Sequence, residues 1–154
     1  MTHSMTATRW TLALLSVLAF AAPAAALDPI YTRTLSSLAL GGYDPVAYFE
    51  AGKPTEGSDR FETKWRGATW RFASAEHLAA FVANPEAFAP QFGGYCAYAV
   101  SQGATAPGSS MAWKIVDGKL YLNVNARIQR RWEQDLQAYI ARAEARWPEL
   151  LAAD

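Results

Sequence analysis

The chain has 154 residues, 51% of them hydrophobic and only 18% charged, so it has room for one domain with a sizeable core and does not read as a disordered polymer. Fourteen basic residues balance fourteen acidic ones, which removes the surplus of cations that generic phosphate binding needs and argues against nucleic acid as a partner. A single cysteine can neither close an intramolecular disulfide nor build a CxxC metal clip.

The first segment reads as an export signal. Arg9 precedes the apolar run WTLALLSVLAFAAPAAA from Trp10 to Ala26, and Ala24 and Ala26 occupy the small-residue positions before Leu27. The run falls short of the ~20 residues that a spanning helix usually needs, so cleavage after Ala26 is expected, with no stable membrane anchor left and a periplasmic or extracellular destination. Residues 1–26 are then the signal, 27–40 a lead-in that docks on the domain, and 41–150 the domain itself.

In the domain, GGYDPVAYFEAGKP suggests a short strand or extended turn ending at Gly52. FETKWRGATWRF alternates about Gly67 and predicts a β-hairpin. Ser74 can cap a helix beginning at Ala75 with Leu78, Phe81 and Val82 as its apolar stripe, and Pro85 suits one further helical turn that stops at Pro90. Tyr95 to Val100 alternates after the break at Gly93-Gly94, and the small-residue loop SQGATAPGSS follows. MAWKIVDGKLYLNV predicts a second hairpin, since Asp117-Gly118 tolerates a type I′ turn. A last amphipathic helix is expected from about Asn125 to Arg146, with Ile128, Trp132, Leu136, Ile140 and Ala143 facing the core and Pro148 just beyond its end. The fold class expected is α+β: small antiparallel β-hairpins packed with one short helix and a long C-terminal amphipathic helix.

GYDPVAYF, WRFASAEHLAAFVANPEAFAP, GGYCAYAVSQG and WKIVDGKLYLN together resemble the YHS domain family over about Gly41 to Pro148. The family pattern is matched by Phe72, Ser74, Phe81, Asn84, Pro85 and Phe88. Members related to heavy-metal handling carry three cysteines proposed as metal ligands, and the matching positions here are Ala47, Ala73 and His77. The chain is more similar to a secreted branch with the GGYCA block, for which the resemblance implies a fold but no settled reaction.

Few side chains can carry chemistry. His77, the only histidine after Ala26, borders the apolar stripe in the first turn of its helix, where the helix dipole favours a neutral ring able to act as ligand or base. Cys96 follows Gly93-Gly94-Tyr95 and is either a reactive thiol or a small buried hydrophobe. With Met111 at the end of the loop, His77 and Cys96 would form a soft donor set suited to copper rather than to calcium or magnesium. Asp44 is a further ligand or, before Pro45, a turn residue. Tyr43, Tyr48, Tyr95 and Tyr98 and the tryptophans either line a pocket or fill the core, and Arg131 can pair with Asp135 on a solvated helix face. Three functions remain open: an exported binding module holding copper through Cys96 and His77, a metal-free module holding a small ligand or a partner, and an enzyme with Cys96 as nucleophile and His77 as its base. Binding ranks ahead of catalysis, because no phosphate loop, HExxH or GxSxG motif occurs.

Overall fold

The computed structural model describes residues 26–153, so the expected export segment lies outside the described residues except for Ala26. Both expected hairpins form. Strand β1 (Ser58–Trp65) pairs antiparallel with β2 (Ala68–Phe72), and β3 (Ser109–Val116) pairs antiparallel with β4 (Lys119–Asn123), as two separate two-stranded sheets. Each turn needs two successive residues with positive φ, and both have them: Arg66 and Gly67 at 48° and 79°, Asp117 and Gly118 at 50° and 73°. That is the type I′ geometry, whose twist matches the strands it joins.

The stretch expected to be extended around Val46 is instead helix α1 (Ala47–Glu50). The Asp44 side chain decides this, because its Oδ1 accepts hydrogen bonds from the amides of Val46 and Ala47 and so satisfies donors that a strand would have sent to a neighbour. The expected helix beginning at Ala75 is α2 (Ala75–Ala83), and Ser74 caps it by accepting from the His77 amide. Pro85 opens α3 (Pro85–Phe88), as its fixed φ and missing N–H favour.

The alternating run after Gly93-Gly94 is not a strand either: residues Ala97–Ser101 form α4, with the buried Asn123 Oδ1 accepting from the Tyr98 amide at the helix start. The C-terminal region is α5 (Ala126–Trp132), a 3-10 turn at Glu133–Asp135, and α6 (Leu136–Ala152). Asn125 caps α5 through Ile128 N, at the boundary expected. Pro148 lies inside α6 rather than beyond it. Proline forfeits one helical hydrogen bond there. Trp147 and Leu150, packed on the core to either side of it, hold the final turn in place. Arg131 does not pair with Asp135; its guanidinium lies 5.5 Å from the Tyr98 ring centroid.

The architecture is α+β, and β4 divides its interior. Side chains alternate across a strand, so Leu120 and Leu122 enter one apolar cluster with Val46, Tyr48, Trp70, Phe72 and Phe81, while Tyr121 enters a second with Phe92, Val100, Trp132, Ile140 and Ala143. Burial raises the Tyr121 phenol to about 12. The lead-in packs between the clusters: Ile30 joins the first, Tyr31 rests on the second, and Tyr31 N donates to Gly93 O. Gly93, at φ +60°, permits this approach, since a Cβ there would collide with the Pro29 carbonyl oxygen.

Candidate functional site

Asp44 and His77 are 33 residues apart in sequence and are joined in the structure by a 2.6 Å hydrogen bond from His77 Nδ1 to Asp44 Oδ2. A carboxylate only accepts, so Nδ1 carries the proton of this hydrogen bond. Asp44 is fully buried, whereas the His77 side chain keeps 24% of its surface exposed. Both carboxylate oxygens are saturated: Oδ1 takes the amides of Val46 and Ala47, and Oδ2 takes His77 and the Ala73 amide at 2.8 Å. The same aspartate thus caps α1 and ties the end of β2 to the first turn of α2. The Val46 amide bonding Asp44 Oδ1 two residues back is an Asx turn, so Asp44 is the turn residue expected before Pro45, with His77 and Ala73 as further partners. Nearby, the Glu76 carboxyl sits below its ordinary range because its own backbone amide and then the Ser74 hydroxyl favour the ionised form.

Cys96 is 1% exposed and precedes α4, which packs on α6 and β4. Its thiol points to Asn123 Oδ1 at 3.6 Å, a contact within sulfur hydrogen-bond range. His77 stands on α2, which packs against the β1–β2 hairpin. The two therefore have separate partners, and the hydrogen bond a thiol nucleophile needs from its base is not formed between them. Met111 is 65% exposed at the edge of a different cavity, one lined by neither His77 nor Cys96. Among the described residues, no group of three or more His, Cys, Asp or Glu side chains is placed to hold a metal ion. Of the soft donor set expected, His77 bonds Asp44, Cys96 bonds Asn123 and Met111 lines a cavity that includes neither of the other two.

The aromatic residues are divided between core and surface. Tyr48, Trp70, Tyr121 and Trp132 are buried, and burial holds the Tyr48 phenol well above its usual range while its hydroxyl donates to Ser110 O. Trp65 and Trp147 instead both line a cleft of about 470 Å³. Buried Ile30, Ala89, Pro90 and Phe92 line it as well. Two ion pairs mark the rim, Arg66 with Glu86 at 2.7 Å and Lys119 with Glu144 at 3.4 Å. The Arg66 guanidinium also lies 4.5 Å from the Trp65 ring centroid, and Trp147 packs on Phe92 and Tyr95 at 5.8 Å. Sequence spacing offers no route to this cleft, since its lining comes from the lead-in, the first hairpin turn, the segment after α3, β4 and α6.

No family model, curated protein or solved structure matches the chain.

Proposed function

We propose that this chain is a small exported binding module of YHS type that holds a planar, largely apolar small molecule between Trp65 and Trp147. The observation that carries this reading is the cleft itself: about 470 Å³, lined by buried apolar residues and by two tryptophans that each pack on a neighbouring side chain. Small-molecule sites commonly occupy roughly 300–1,000 Å³ and bury most of the ligand against apolar and aromatic walls. Indole faces contribute dispersion and stacking without demanding one orientation of the ligand, and the two rim pairs supply polar contacts of both signs at its edge. The copper reading has less support, because Cys96 is committed to Asn123 and His77 to Asp44.

The test is calorimetric titration of the protein with 2-naphthol, a neutral planar probe. Saturable binding is expected, weakened about ten-fold or more in Trp65→Ala or Trp147→Ala, in line with losing ~1.5 kcal/mol of aromatic contact. No heat of binding, or equal binding by both variants with their folds intact, would refute the site. Export is tested separately by mass spectrometry of the secreted protein, with a mature N-terminus at Leu27 expected. A chain retaining residues 1–26 would refute that part.

A further inference from the structure

A second cavity, of about 290 Å³, opens beside the 3-10 turn Leu40–Gly42 and the start of β3. We propose that it is a binding site for a short-chain organic monocarboxylate held by the Arg33 guanidinium. Arg33 is the only charged side chain lining the cavity, and it has no ion-pair partner among the described residues. The guanidinium lies beside the turn: a Cβ built on Gly41 would lie 3.8 Å from Arg33 Nη2, and Gly41 also lines the cavity. The planar fork of a guanidinium matches the two oxygens of a carboxylate. Ser109 adds a further donor, because its Oγ accepts from the Met111 amide and leaves its own O–H to give.

The rest of the lining selects an organic anion over a bare one. Met111 and Val124, 65% and 38% exposed, are two of the four exposed large hydrophobic residues in the described chain, and both line this cavity with Leu40 and Leu122. Uncovered apolar surface beside one unpaired cation fits a ligand with one negative end and a hydrocarbon end. A single guanidinium balances one charge, which disfavours a phosphate dianion. The site is separate from the Trp65–Trp147 cleft and does not depend on it.

The experiment is a titration of the isotopically labelled protein with sodium butyrate at constant ionic strength, followed by amide chemical shifts. Saturable shifts are expected at Gly41, Gly94 and Ser109, with a Kd on the order of 1 mM. Arg33→Gln, at an exposed position, should keep the fold and weaken butyrate about ten-fold or more, as loss of a charged hydrogen-bonding group does. Neutral butyramide and inorganic phosphate should each bind about ten-fold or more weakly than butyrate. Met111→Ser should weaken butyrate while leaving the weak response to phosphate unchanged. Absent or unsaturable shifts, equal affinity in Arg33→Gln, or phosphate or butyramide binding as tightly as butyrate would each overturn the proposal.

Discussion

Replacing Asp44 by Asn tests whether this side chain organises the fold around the candidate histidine. The two side chains have nearly the same shape, but an amide offers one acceptor oxygen where the carboxylate offers two. Four donors converge on Asp44: the amides of Val46, Ala47 and Ala73, and His77 Nδ1. If the amide oxygen keeps Val46 and Ala47, its NH2 faces Ala73 N–H and His77. The ring can move its proton to Nε2 and accept, but the Ala73 amide then has no partner. The opposite orientation strands two amides at the start of α1. One unsatisfied amide costs about 1–3 kcal/mol, and the surviving bonds lose the strength an ionised acceptor lends them, so the total is about 2–4 kcal/mol. Asp44→Ala strands all four donors and should cost more, about 3–5 kcal/mol. His77→Gln removes one donor of four and should cost about 1 kcal/mol. Urea unfolding checks the order, since with a slope of roughly 2 kcal/mol/M the Asp44→Asn midpoint should fall by about 1–2 M. A shift below ~0.5 kcal/mol for Asp44→Asn, or a His77→Gln loss equal to that of Asp44→Ala, would refute the assignment. The second result would mean that the His–Asp contact, not the backbone amides, carries the stability.

Cys96 should behave as a core residue. A thiol reagent is expected to modify it only as fast as the protein opens, and Cys96→Ala should cost about 1 kcal/mol through the small cavity it leaves. Rapid labelling of the native protein would contradict the burial seen here. Protein loaded with Cu(I) under reducing conditions should retain no equivalent of metal on desalting. One bound equivalent, lost in both Cys96→Ser and His77→Ala, would restore the copper reading. Glu133 accepts from Gln129 and Lys114, and these contacts hold its carboxyl below the ordinary value. A depressed folded-state value means stability that is fully present above the unfolded value of about 4.5 and lost as pH falls through the folded value. The gap between the parent protein and Glu133→Gln in urea midpoints should therefore narrow as the pH is lowered below that range. A gap independent of pH would refute this.

Local chemistry was legible wherever a short segment decides its own conformation. Asp117-Gly118 and Arg66-Gly67 set their turns because only certain residues tolerate two consecutive positive φ angles. Ser74 marked its helix start because the hydroxyl that caps it lies three residues from the amide it satisfies. Gly and Pro punctuation suggests extended chain near Val46 and alternation suggests it near Cys96, but a buried polar side chain gives each segment a helical start instead: Asp44 within its own segment, and Asn123 across 25 residues. Pro148 by itself signals a helix stop, yet Trp147 and Leu150 carry α6 past it through tertiary packing.

The candidate site was legible only as a set of residue types. His77 and Cys96 could be singled out as chemically capable, because imidazole and thiol are scarce here and their reactivity belongs to the side chain itself. Which groups they meet depends on contacts 33 and 27 residues away in sequence, and no periodicity encodes such distances. The amino-acid sequence by itself determined the turns, the helix caps, the apolar faces and the α+β class, because these follow from interactions within a few residues along the chain. Only the tertiary structure decided that Asp44 holds His77, that Asn123 holds Cys96, and that Trp65 and Trp147 face one cleft. Those pairings arise when separate elements bury their apolar faces together, and the polar groups carried inward must then find partners from distant parts of the chain.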